Sequence, residues 1–351
     1  MMAFFRKEIL VLLGLLGALG PVASGQSTYT ITSLGGLSGS PFANVTDLSN
    51  FGQVVGTSAN HAFLWENGAM TDLGTLGGSL SAANAINDKG QIVGESTTAS
   101  GEKHAFLWEN GVMKDLGVPG ETSSAHGINS HGYIVGAISG KNVRGGAILW
   151  KNGGRQSLGD LGPSGSGSTA IAINDNGEVV GVSSGLASSS GGVVRAVIWQ
   201  SGVIHDIGTL GGLHSTANAI NMGHQVVGWA EIADQSTAAF FFDNGVMQDL
   251  GMLPGGVGVP GSGSQAASVN DNGQVVGLSL DSNGASRAVI WENGQIIDLN
   301  GAIPGVAGVI LTRARAINNQ GQIVVEQQES ASNSAKSFLL TPQSSVTKGR
   351  K

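Results

Sequence analysis

A single unit, copied seven times with drift, constrains this chain more than anything else in it. Its clearest copy is residues 86–117, INDKGQIVGESTTASGEKHAFLWENGVMKDLG. Each part of the unit reads as extended chain. Gln91 to Gly94 is a short β-branched run that follows Asn87-Asp88-Lys89-Gly90, a turn cluster whose glycine tolerates positive φ. His104 to Trp108 is a second run, and Asn110-Gly111 behind it is a strong two-residue hairpin signal. Val112 to Leu116 returns as its partner, and Ser81 to Ile86 supplies a strand ahead of the unit. Four strands per copy are expected.

The copies align on the column Gln53, Gln91, Tyr133, Glu178, Gln225, Gln274 and Gln322, at steps of 38, 42, 45, 47, 49 and 48 residues. Periods of about 40–50 residues with four short strands indicate propeller blades. Helical repeats of similar length need apolar residues at 3.6 spacing, and these segments are brief, β-branched and broken by glycine.

The two ends of the pattern complement each other. Tyr29 to Gly35, YTITSLG, matches the last strand of a unit, whereas Lys336 to Leu340, KSFLL, matches the third, after which the pattern stops. The expectation is an all-β, seven-bladed β-propeller of four-stranded antiparallel blades, closed by pairing of the N- and C-terminal strands. Closure removes the sheet edges that a linear stack would expose. With strands running outward from the axis, the tight turns lie on one face. The longer connections, such as residues 74–81 and 96–103, lie on the other. That loop face is the candidate binding surface.

Three segments follow. Residues 1–25 read as a signal peptide, with Arg6 and Lys7 before an apolar run from Ile9 to Leu19 and small residues at Ala23-Ser24-Gly25. Residues 26–343 form one propeller domain, and residues 344–351 a disordered tail. There is no cysteine, so stability in an oxidising compartment rests on packing and strand pairing, and a lipoprotein anchor is excluded. Loss of the leader removes Arg6, Lys7 and Glu8 and takes the formal charge from −7 to −8. An acidic chain without a basic run is a poor partner for nucleic acid or an anionic membrane. The expectation is a secreted monomer, extracellular, periplasmic or at the cell surface, with no membrane association once the leader is gone.

Several motifs together resemble a known family. His61 to Trp65 and His104 to Trp108, with Asp72-Leu73-Gly74-Thr75-Leu76-Gly77-Gly78 and Gly52 to Gly56, look like the HAF family of bacterial extracellular repeats. The resemblance covers nearly the whole mature chain. It implies a secreted or surface protein of bacterial type and no particular reaction. Later copies drift: Phe242 replaces tryptophan, the turn glycine moves one place at Met222-Gly223-His224, and Val325 stands where glycine is expected.

Repetition argues against catalysis at the most conspicuous residues. Trp65, Trp108, Trp150, Trp199 and Trp291 recur at the end of one strand and are expected to pack between blades. Asp72, Asp115, Asp206, Asp249 and Asp298 recur too, as expected of hydrogen-bond acceptors at strand ends. Residues 173–177 and 269–273 lack the alternating acidic ligands of a calcium loop. The seven histidines show no metal-ligand spacing, and no nucleophile elbow or phosphate loop is present. Neither a metal nor a cofactor is expected.

Polar residues that occur once on or near the loop face remain as ligand-binding candidates: His126, Arg313, Arg315, Glu121 and His214, followed by Asp160, Glu231 and Asp234. His126 and Arg315 share an innermost-strand column with Asn84, Ile171, Asn218 and Ala267. Two functions fit. The first is an extracellular module that binds a glycan, peptide or surface protein through its loop face. The alternative is an extracellular polysaccharide hydrolase or lyase with an axial site, a reading that rests on fold analogy. An enzyme should gather two carboxylates, or a carboxylate and a histidine, within roughly 5 to 10 Å.

Overall fold

A computed structural model of the chain describes residues 28–140, 143–162, 167–188, 191–328 and 335–343. The leader and the C-terminal tail read from the sequence lie outside these residues. β1 spans Tyr29–Ser33. Blade 1 is β2 (Asn44–Leu48), β3 (Val54–Ser58), β4 (His61–Glu66) and β5 (Ala69–Asp72). Blade 2 is β6 (Gly77–Ile86), β7 (Ile92–Thr98), β8 (Lys103–Glu109) and β9 (Val112–Asp115). Blade 3 is β10 (Glu121–Ile128), β11 (Ile134–Gly140), β12 (Val143–Lys151) and β13 (Gly154–Ser157). Blade 4 is β14 (Ser168–Ile173), β15 (Val179–Ser188), β16 (Gly191–Gln200) and β17 (Val203–Asp206). Blade 5 is β18 (Gly211–Ile220), β19 (Val226–Ile232), β20 (Thr237–Asp243) and β21 (Val246–Asp249). Blade 6 is β22 (Gln265–Val269), β23 (Val275–Leu280), β24 (Ser286–Glu292) and β25 (Gln295–Asp298). Blade 7 is β26 (Arg313–Ile317), β27 (Ile323–Gln328) and β28 (Ala335–Pro342), with β1 as its fourth strand.

The chain is therefore an all-β, seven-bladed propeller, closed as the repeat pattern requires. Ile31 pairs with Leu340 and Ser33 with Phe338. The Gln343 amide donates to the Thr28 carbonyl at 2.8 Å. Among the described residues no helix is long and apolar enough to cross a membrane.

Local chemistry explains why each blade forms. The outer hairpins turn on residues at positive φ, Asn110 at 52° and Gly111 at 81° for example, the mirror-image turn that suits twisted strands. In blade 5 the inner turn has His224 at φ 64°, where the other blades place glycine. The aspartates at the ends of the outer strands accept backbone N–H groups two residues on, from Gly74, Gly117, Gly208 and Gly251 at 2.7–2.8 Å and from Asn300 at 2.9 Å. Two of the histidines brace them, His61 to Asp72 and His104 to Asp115.

The core is distributed between blades, with one buried cluster at each of the seven interfaces. Trp65, Trp150, Trp199 and Trp291 are buried in these clusters, and Trp108 packs partly buried against one. Buried serines stitch neighbours together. Ser81, Ser123, Ser168, Ser215 and Ser264 each accept the backbone N–H of an alanine in the third strand of the preceding blade at 2.9–3.0 Å. Each such bond satisfies a donor that would otherwise be stranded between sheets.

Candidate functional site

The innermost strands β2, β6, β10, β14, β18, β22 and β26 crowd around the axis, and all seven carry a β-bulge at the same place. The extra residue is Thr46, Asn84, His126, Ile171, Asn218, Ala267 or Arg315. The residue before it is small and buried, alanine in six blades and Val45 in the first. Bulging re-aims a side chain and breaks the ladder locally. It also brings the carbonyl of the residue two positions before the bulge against the second strand. A methyl group at Gly56, Gly94, Gly136, Gly181, Gly228 or Gly277 would run into that oxygen. This close approach is the reason for the repeated glycine after the paired β-branched residues. Blade 7 departs from it, with buried Val325 in the glycine's place.

At the loop-face end the bulge residues differ in chemistry and in what they bind. Thr46, Asn84, His126 and Asn218 each donate a side-chain bond to a carbonyl of the next blade, those of Ala83, Ala125, Ala170 and Ala266, at 2.8–2.9 Å. For His126 the donor is Nδ1, which fixes the tautomer of the neutral ring. Burial pushes its pKa below the usual histidine value, against a smaller upward pull from the Ala170 bond. Ile171 and Ala267 donate nothing. Arg315 turns to its own sheet, where its Nε donates to Glu326 Oε2 at 2.8 Å.

Two cavities open here. One, of about 360 Å³, is lined by Asn44, Thr46, Ile171, Asn218, Gln265 and Ala267 together with Arg313 and Arg315. Arg313 lies directly opposite Glu326 across the strand pair. Burial, with Arg315 beside it, holds the Arg313 guanidinium below the ordinary arginine value, and Glu326 only partly offsets this. The second cavity, of about 530 Å³, includes His126, Glu95 and Lys103. Glu95 is bound to Lys103 at 3.0 Å.

The other candidates lie elsewhere or are already engaged. Glu121 is buried and held by both terminal nitrogens of Arg155, at 2.6 and 3.3 Å. His214 accepts the Val194 N–H through Nδ1 at 3.2 Å. Glu231 accepts the backbone amides of Leu213 and His214. Asp234 caps its own turn, its carboxylate held below the usual range chiefly by the Ser236 hydroxyl. Asp160 is engaged as well. The structure thus brings Arg313 and Arg315 together in one cavity and sets His126 in the other.

Sequence reading did not single out Glu326, Gln265, Asn44, Glu95 or Lys103. A signal for Glu326 was present. Its column reads Thr57, Glu95, Ala137, Val182, Trp229, Leu278 and Glu326, in which two blades of seven carry a carboxylate, the same two glutamates that fall at the cavities. Among the described residues no group of three His, Asp or Glu side chains could hold a metal ion.

The turn-face end of the same channel is uniform. Asn87, Asn129, Asn174, Asn221 and Asn270 each donate Nδ2 to the backbone carbonyl of the corresponding asparagine in the next blade at 2.9–3.1 Å. Asn318 donates to the Ser49 carbonyl at 3.1 Å, and Ser49 is the one member that donates nothing onward. Around this ring Asp88, Asp175 and Asp271 accept the backbone amides of Asn50, Ser130 and Met222.

No protein-family model and no curated protein sequence matches the chain. Solved structures do match in shape. A streptogramin B lyase structure superposes with a TM-score of 0.52 at 12% identity, over 90% of this chain and 98% of that one. The β-propeller domain of the trilobed protease from Pyrococcus furiosus, described as having an open velcro topology, gives 0.51 at 11% identity, over 86% and 95%. The acylaminoacyl peptidase of Pyrococcus horikoshii gives 0.53 at 10% identity, over 86% of this chain and 52% of that one. At such identities the likeness is one of fold. The blades, their closure and these neighbours together make the chain a seven-bladed β-propeller whose axial channel is chemically different at its two ends.

Proposed function

We propose that the protein is a secreted binding module of the HAF-repeat type, which engages an extracellular glycan, peptide or surface protein through the loop face of the propeller. One observation carries the reading. The bulge column presents seven side chains of differing chemistry at the loop-face end of the channel, on a scaffold otherwise repeated blade for blade. A rigid frame with a variable rim is how binding surfaces are commonly built. The leader-like residues 1–25, with Arg6 and Lys7 ahead of the apolar run from Ile9 to Leu19, support an exported protein. Protein sequencing of material recovered from the medium or the periplasm should find a mature start close to Gln26, and an unprocessed cytosolic product would overturn export.

The test of binding is a glycan and peptide array probed with the protein beside its Arg313→Ala and His126→Ala variants. Hits lost in either variant support the loop-face site, and hits that survive both place binding elsewhere. The hydrolase or lyase alternative retains one observation of its own. Glu95 and His126 line the same cavity, the carboxylate and imidazole such an enzyme would use. Glu95 is, however, bound to Lys103, and Nδ1 of His126 is spent on Ala170. New reducing or unsaturated ends released from a bound glycan, and lost in Glu95→Gln, would favour the enzyme.

A further inference from the structure

The 360 Å³ axial cavity holds two arginines in one blade, at positions where no other blade has a cation. Their surroundings differ from those of an ordinary structural ion pair. Glu326 is 3% exposed, and one of its oxygens takes the Arg315 Nε bond. Its other oxygen, Oε1, is buried without a hydrogen-bond partner among the described residues. Arg313 has no hydrogen-bond or salt-bridge partner among the described residues, although it is partly buried and faces Glu326 in register. With Nε committed to Glu326, Arg315 is oriented and its two terminal nitrogens remain unspent. The carboxamides of Asn44 and Gln265, in the same cavity, are also unspent, and Asn218 uses only its nitrogen.

A partly buried cation that keeps its full set of donors free is costly unless something supplies the missing acceptors. Here two guanidiniums face one carboxylate, so the cavity carries a single positive charge in excess. A monoanion balances that charge. A dianion would meet the field of Glu326 at close range with too little positive charge to offset it. Two planar guanidinium groups also match a carboxylate with paired, parallel hydrogen bonds. The volume lies near the lower end of the ~300–1,000 Å³ usual for small-ligand sites, enough for one sugar ring. The carboxamides suit ring hydroxyls, and the apolar wall of Ile171, Ala267 and Leu278 suits the C–H face of a sugar ring.

We propose that this cavity binds the carboxylate of a hexuronic acid, a free monosaccharide or the terminal residue of an acidic glycan. Arg313 and Arg315 clamp the carboxylate, and Asn44, Asn218 and Gln265 meet the ring hydroxyls. Glu326 is a positioning residue: it aims Arg315 and limits the site to singly charged ligands. The inference rests on the loop-face binding reading and names the ligand class for it.

The test is isothermal titration of the whole protein with glucuronate and galacturonate. The comparison ligands are glucose and galactose, the uronate methyl esters, inorganic phosphate, and a short peptide with a free or amidated C-terminus. Uronates should bind while the neutral sugars and esters bind at least tenfold more weakly. Arg313→Gln should lose at least tenfold in uronate affinity with no fall in melting temperature, because the arginine it removes makes no hydrogen bond or salt bridge among the described residues and its burial beside Arg315 outweighs its attraction to Glu326. Glu326→Gln should shift preference towards phosphate, and an unchanged ratio of phosphate to uronate would remove its positioning role. Uronate binding that neutral sugars equal, or that Arg313→Gln leaves intact, overturns the site. Binding of the free peptide C-terminus without the uronates also overturns it. Array hits insensitive to Arg313 would sink this site while leaving the binding-module reading standing; no hit of any kind would sink both.

Discussion

The two mouths of the axial channel are made by the same seven strands, a few residues apart, yet they follow opposite rules. At the turn face six asparagines repeat one arrangement, each handing its amide to the next blade. At the loop face the equivalent handover is made by threonine, asparagine or histidine in four blades and by nothing in the other three. A bond that every blade needs for cohesion is repeated. A position where cohesion is already secured by the small buried residue before it, alanine in six blades and Val45 in the first, can vary, and variation is what recognition requires.

The bulge is where this contrast breaks most severely. Gly228→Ala drives a methyl group into the Thr216 carbonyl, an over-packing of backbone expected to cost about 3 kcal/mol or more. Chemical denaturation should show the loss. Stability close to wild type would mean that the bulge yields easily and that glycine is not required by it.

Asp47, next to the bulge residue Thr46, gives the two ends a pH dependence. Its carboxylate accepts the N–H of Leu48 and that of Ile86 in the next blade. Burial, only partly offset by those bonds, raises its pKa to about 6 from 3.8. The folded state therefore holds this proton more tightly than the unfolded chain does. The stability it contributes is full below pH 3.8 and is lost as the pH rises through about 6. The loss is at most about 3 kcal/mol, and smaller to the extent that water reaches the carboxyl. Asp47→Asn should flatten this part of the stability profile between pH 4 and pH 7, and an unaltered slope would assign it to other groups.

A matched pair of substitutions tests the comparison itself. Asn270→Ala strands the Glu-free turn around it, because the Asn270 oxygen accepts the amides of Asn272 and Gln274 while its nitrogen serves Asn318. The expected cost is about 1–3 kcal/mol. Asn84→Ala removes one partly exposed bond to Ala125 and should cost about 0.5–1 kcal/mol. Equal losses would abolish the distinction between a structural mouth and a permissive one. The smallest effect should be a gain. Ser49 occupies the asparagine column and already receives the amides of Phe51 and Gln53, so Ser49→Asn can add the missing onward bond to Asn87. A rise in melting temperature of a few degrees would show it.

Architecture was legible in the sequence because it is periodic. Blade number, the shared seventh blade and the Asn-Gly turns all follow from repeated short patterns, and so do the packed tryptophans and the capping aspartates. The bulges were not legible. A one-residue slip in pairing leaves no mark in either strand alone, and its only trace is the glycine on the opposite strand. Partnerships across blades were hidden for a related reason. Glu121 is satisfied by Arg155, 34 residues away, and nothing local announces it. Arg313 and Arg315 stood out as unusual cations, but the buried Glu326 that organises them shares a run of ordinary strand residues. A column-by-column comparison of the blades narrows the choice to Glu95 and Glu326.

The seam where the chain's described ends meet has a consequence for engineering. Thr28 and Gln343 are joined backbone to backbone, and the asparagine ring passes through blade 7 into blade 1 without regard to where the polypeptide was opened. A short peptide joining those two residues, with new termini cut at an outer hairpin such as Asn110-Gly111, should yield a circularly permuted protein with the same seven sheets. The order of synthesis would change and the finished wheel would not.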